Sequence, residues 1–160
     1  MRISFKTLTV IFIAIFILQN SSVSKTPAKN YQKVRVIAST YYAHKWSDIG
    51  RYRRVSKNGK RLGNFVALNF LPGGSIIMIP KLFKTTKFEV ADTFGGSGTR
   101  YYKGKKYWKV DILRNKGEWY DDIDHPIELI IAGVNHKGPV KNLTVRKNFL
   151  AFLKGHNSPR

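Results

Sequence analysis

The chain has 160 residues, 42% of them hydrophobic and 13% aromatic, with 29 Lys and Arg against 9 Asp and Glu and a formal charge of +20. That much apolar material excludes a disordered basic tail and suits one domain with its own core. The absence of cysteine excludes disulfides, a lipid-modified N-terminal cysteine and any cysteine-ligated metal, so packing alone must hold the fold.

Taken in chain order, MRISFKTLTVIFIAIFILQNSSVSK opens with Arg2 and Lys6, runs apolar from Val10 to Leu18 and ends in small polar residues. This is the layout of a secretory signal peptide, with cleavage expected after Ser24; an uncleaved anchor is the alternative, because no Ala-x-Ala is present. Cleavage removes two basic residues and no acidic one, lowering the charge from +20 to +18. The mature chain, without a transmembrane segment, is then expected in the periplasm, in the cell envelope including the outer membrane, or in the medium. Its charge attracts polyanions such as wall polymers and lipid headgroups, although it also serves solubility.

Residues 25–33 (KTPAKNYQK) read as a linker. Strands are predicted over 34–42, 65–70, 75–80, 87–93, 107–113 and 126–133, each β-branched, aromatic or alternating. LPGG (71–74) is expected to form a type II turn with Pro72 fixing φ and Gly73 at positive φ. Six short strands joined by glycine-rich turns, with no long amphipathic helix among them, predict a mainly β fold, a small closed barrel spanning 34–134. The basic tail, 135–160, is expected to carry a short helix packed on that barrel through Val145, Phe149, Leu150 and Leu153, with Asn142 as N-cap and Gly155 as stop.

The order RVIASTYY, GNFVALNFLPGGSIIMIP, FEVADTFGG, VDIL, IELIIAG resembles the 3D domain, a six-stranded double-psi β-barrel shared with the MltA-type lytic transglycosylases. The resemblance covers roughly residues 34–133, and its most specific part is ADTxGG followed by a Val-Asp-Ile strand. It implies peptidoglycan glycan strands as partner and cleavage of the bond between N-acetylmuramic acid and N-acetylglucosamine. Asp92 falls on the aspartate of the family's ADTGG turn and Asp111 on the strand aspartate that acts as acid, so both are catalytic candidates. Asn69 stands where the family has its third aspartate and cannot titrate. Substrate contacts are expected from Asn69, Gly95, Gly96, Tyr102 and Trp108. The segment between the aspartates, SGTRYYKGKKYWK, departs from the family pattern in being longer and more basic.

The residues themselves allow two roles for Asp92. A strand-ending Asp before Thr and two glycines can fold its carboxylate onto backbone N–H groups as a turn former, or it can take part in catalysis. Asp111, between Val110 and Ile112, must face away from both. If it lies in a screened cleft it can hold a proton for delivery, but a nearby cation such as Lys109 would oppose that role. A lytic transglycosylase needs one such acid, because the muramic sugar's own C6 hydroxyl attacks C1.

RYYKGKKYW (100–108) and RYRRVSKNGKR (51–61) are basic stretches; the first interleaves aromatics that suit sugar stacking or a plain hairpin. EWYDDIDH (118–125) reads as a solvated acidic loop rather than a calcium site, and His44, His125 and His136 lack zinc-site spacing. No metal or cofactor is expected, nor a nucleic-acid partner, and the chain is expected to be a monomer. Tyr41 reads as core. Two rivals to the enzyme remain: a non-catalytic wall-binding module and an exported basic protein that binds polyanions.

Overall fold

The computed structural model describes residues 31–43, 49–118, 123–140, 142–155 and 159. The expected signal peptide, most of the linker, His44, and Asp121 and Asp122 of the acidic stretch lie outside the described residues.

The chain is mainly β. In order the elements are β1 (Gln32–Tyr42), β2 (Ser56–Lys57), β3 (Lys60–Arg61), β4 (Phe65–Leu68), β5 (Ile76–Met78), α1 (Pro80–Phe83), β6 (Lys87–Asp92), β7 (Thr99–Tyr102), β8 (Lys105–Arg114), β9 (Ile127–Gly133) and α2 (Leu143–Leu153). Six of the strands close into a barrel in the order β1-β9-β5-β6-β4-β8, with β8 returning to β1; β7 pairs with Lys105–Trp108, the part of β8 that precedes its pairing with β4. Two neighbouring pairs run parallel, β1 with β8 and β4 with β6, and the other barrel pairs are antiparallel. The predicted barrel is therefore the one observed, and closure leaves the six strands without an open edge to protect.

Alternation explains the core. Val34, Val36 and Ala38 of β1, Val66 and Leu68 of β4, Phe88 and Val90 of β6, and Val110 and Ile112 of β8 join one interior cluster. The intervening residues face outward, where Tyr41, Phe65, Ala91 and Leu113 meet Ala43 and Val55 in a second, smaller cluster beneath the 49–64 segment. This explains why β4 and the end of β8 are apolar on both faces: the outer wall is covered here too.

The turn at LPGG is shifted by one residue from expectation. Ser75 N donates to Pro72 O at 3.2 Å, and Gly74, not Gly73, takes positive φ (+80°). Gly73 answers a different constraint: a Cβ there would come within 2.6 Å of the Tyr52 ring. The strand expected to run to residue 80 ends at Met78, because Pro80 begins the short helix α1, a position proline favours.

The tail carries the expected helix. Asn142 Oδ1 accepts from Val145 N at 2.7 Å, and Gly155 follows the helix at φ +83°. Its buried side chains are Val145 and Phe152, with Phe149 partly buried against the core. Leu150 and Leu153, expected to face the barrel, are instead 49% and 51% exposed. The reason is phase: 145, 149 and 152 follow i, i+4, i+7 down one face, and 150 and 153 fall beyond its edge. Phe152 packs 5.7 Å from Phe70, which stacks on Trp108 at 5.0 Å. Among the described residues no helix is long and apolar enough to cross a membrane.

Candidate functional site

Strand register gathers the two candidate aspartates on one face. Across the parallel seam Ser39 pairs with Asp111; across the next seam Asp111 pairs with Ala67; across the next Ala67 pairs with Asp92. Directly paired residues share a sheet face. Asp92 reaches this row because the β4–β6 register slips between Val66 and Ala67, a bulge that re-aims its side chain. Two strand spacings separate the aspartates, about 10 Å between Cα atoms. Tyr41, two residues beyond Ser39 on the same face of β1, feels both charges. Burial first, then Asp92 and Asp111, hold its phenol far above the ordinary tyrosine range, so it is neutral. Its hydroxyl is buried without a hydrogen-bond partner among the described residues.

The two carboxylates are held differently. Asp92 Oδ1 accepts from Thr93 N at 2.8 Å and from Arg51 N at 2.6 Å. It thus plays the turn-forming part expected of it, and it also fastens the 49–55 segment, which Tyr52 N ties to Ala91 O nearby at 3.1 Å. Asp92, Thr93, Ile49, Gly50 and Arg51 line an open groove of about 480 Å³, a volume that suits a small ligand or one unit of a longer chain.

Asp111 is nearly buried, its side chain 13% exposed. Ser39 Oγ donates to Oδ1, and Lys109 Nζ donates to Oδ2 at 3.0 Å. The cation that sequence reasoning named as the obstacle is therefore in place. Both carboxylate oxygens are thus already engaged by side chains of the barrel wall. Lys109 also lies 4.9 Å over the Phe94 ring and is 27% exposed, so it bridges the aspartate and the 92–98 loop.

The expected substrate contacts divide. Asn69 is fully buried and its amide is spent on the loop: Nδ2 donates to Phe94 O at 2.8 Å, and Oδ1 accepts from Phe94 N at 3.2 Å. An amide so placed fixes the loop and leaves nothing for a ligand. Trp108 is 1% exposed within the core, so it cannot stack on a sugar. Gly95 and Gly96 are exposed, and an added Cβ would meet nothing at either. The close approach occurs at Gly98 (φ +74°), where a Cβ would come within 2.3 Å of Asn69 Cβ. Gly98 O in turn accepts from Lys109 N at 2.9 Å, linking the loop to β8.

Tyr102 is partly exposed. It stands on the β7–β8 hairpin, where Arg100 pairs with Tyr107 and Tyr102 with Lys105 across a Lys103–Gly104 turn. Lys105, Tyr107, Lys109 and Asp111 are alternate residues of β8 and share its outer face. A basic and aromatic strip thus leads from the hairpin tip to Asp111.

Sequence reasoning missed Ser39, whereas Tyr41 packs against the second core cluster as expected. Nothing local marks Ser39; only the parallel pairing of residues 72 apart brings it to Asp111. Among the described residues no cluster of three or more His, Asp or Glu could hold a metal ion. No protein-family model matches the chain, and comparisons with curated proteins and with solved structures found no match either.

Proposed function

We propose that this chain is an exported, peptidoglycan-binding barrel of the 3D-domain type, which meets the glycan strand at the open groove beside Asp92 and at the β7–β8 hairpin strip. The observation that carries this reading is the shared sheet face: the groove at Asp92 and the Tyr102–Lys105 strip lie on the same side of the barrel wall, with the covered Ala67 and Asp111 in the row between them. Aromatic rings offer stacking to the C–H faces of sugars, and Lys and Arg meet the carboxylates of muramic acid and stem peptides. The ADTxGG and Val-Asp-Ile resemblance supplies the identity of the polymer. Binding is favoured over cleavage because both oxygens of Asp111 are already engaged as acceptors.

Lytic transglycosylation is the second reading, favoured by the alignment of Asp111, Asp92 and the unpartnered Tyr41 hydroxyl. In it, Asp111 protonates the leaving glycosidic oxygen; the C6 hydroxyl of the muramic residue attacks C1, and Asp111 takes the proton that hydroxyl loses. The step requires glycan binding to draw Lys109 away. General acid help of this kind contributes roughly 10²- to 10⁴-fold.

Sedimentation with purified sacculi, followed by mass spectrometry of the soluble fraction, tests both. Co-sedimentation without fragments supports the binding module. Anhydromuropeptides that disappear in Asp111→Asn support cleavage. Failure to sediment at moderate salt, with duplex or single-strand DNA binding that collapses as salt rises, overturns both in favour of a general polyanion binder.

A further inference from the structure

Helix α2 has a second face that the barrel does not use. Its inward side is occupied by Val145, Phe149 and Phe152, while Asn148 Nδ2 donates to Asn69 O at 2.9 Å and to Ser97 O at 3.0 Å. On the opposite side Leu143, Leu150 and Leu153 are 73%, 49% and 51% exposed. Arg146, Lys147 and Lys154 are exposed among them. At 100° per residue, Leu143, Lys147, Leu150 and Lys154 form one row directly away from the core, with Arg146 and Leu153 along its flank, over a length of about 16 Å. Glu128 is the last acidic residue of the chain, so six Lys and Arg follow it without a counter-charge in the sequence.

We propose that this face docks on an anionic lipid bilayer surface. Leucines spaced between cations are what an interfacial helix presents: the apolar side chains enter the acyl boundary while the long basic ones reach the headgroups. Charge decides between occupants. A second copy meeting this face would bring Arg146, Lys147 and Lys154 against their own equivalents with no anion between them. A nucleic acid would satisfy the cations and leave three leucines without a use. An anionic membrane satisfies both halves of the pattern. The row is made of other residues than the groove at Asp92 and the hairpin strip, so docking through it leaves their side chains unused.

The chain's lack of cysteine makes the test direct. In the full chain, Leu150→Cys carries an environment-sensitive fluorophore, with Tyr101→Cys on the hairpin as a reference. Vesicles of phosphatidylglycerol and phosphatidylethanolamine should blue-shift the label at 150 and raise its emission roughly threefold, leaving the label at 101 unchanged. Pure phosphatidylcholine vesicles should not, and Arg146→Gln with Lys147→Gln and Lys154→Gln should abolish the change. Asp111→Asn should leave it intact, which separates this proposal from the glycan reading. A label at 150 that stays wet while the protein floats with vesicles overturns the proposal, since another part of the chain then does the binding. Loss of wetting without lipid as protein concentration rises overturns it in favour of self-association.

Discussion

Asp92 and Asp111 flank the same alanine on one sheet face, yet they are built for different degrees of permanence. Asp92 is held by two backbone N–H groups, which no substitution short of proline removes, and it opens onto a groove. Asp111 is nearly enclosed, and its partners are a serine hydroxyl and a lysine ammonium, both of them replaceable. The difference teaches that a carboxylate's role follows from what donates to it: backbone donors make a fixture, side-chain donors make a group that a ligand can recruit.

The largest effect that would break this contrast lies outside both aspartates. Gly98→Ala forces a Cβ against Asn69 at positive φ. Over-packing and left-handed strain together should cost about 3 kcal/mol in urea unfolding. The damage should reach the Lys109–Asp111 side through Gly98 O and leave the Asp92 turn in place, visible as selective loss of amide protection at Lys109.

Next in size is a matched pair. Asp111→Asn leaves Lys109 without its anion beside a nearly buried site and should cost about 1–2 kcal/mol, discounted because the lysine is partly exposed. Asp92→Asn keeps an oxygen that accepts from Thr93 and Arg51 and should cost about half as much. Equal losses in urea titrations would dissolve the distinction. Tyr41→Phe comes third. Its hydroxyl is buried and bonds to nothing described, so removing it should relieve a desolvation cost and raise stability by about 1 kcal/mol in urea unfolding. Sacculus binding weakened in that variant would place the hydroxyl on the ligand.

The smallest effect is an acid control. Burial pushes the Glu118 carboxyl upward, but hydrogen bonds from Asn115 and the charge and hydrogen bond of Arg61 outweigh it and hold it below its ordinary value. A lowered folded pKa means stability that is complete above the unfolded carboxyl pKa and is lost as pH falls through the folded one. Glu118→Gln should flatten the acid limb of a stability curve slightly without touching either aspartate.

The barrel strands were readable because period-two alternation and β-branched runs are local signals, and the α2 cap was readable from Asn142 and Gly155 alone. What the sequence could not carry was register. Ser39 became a site residue only through the parallel seam, and the bulge opposite Ala67 decides which way Asp92 points. Trp108 and Asn69 were misread for the same reason: their residue types suit ligands, but depth in the core is a tertiary property. The phase of α2 turned on which of several apolar residues met Phe70, a contact between distant segments.

The parallel seam itself bears on how the molecule is made. β1 and β8 join residues 72 apart, so the first strand has no partner on that side until the chain beyond position 108 has emerged. Loop-closure entropy makes such long-range pairing slow. The barrel therefore closes late, once β8 is available to meet β1.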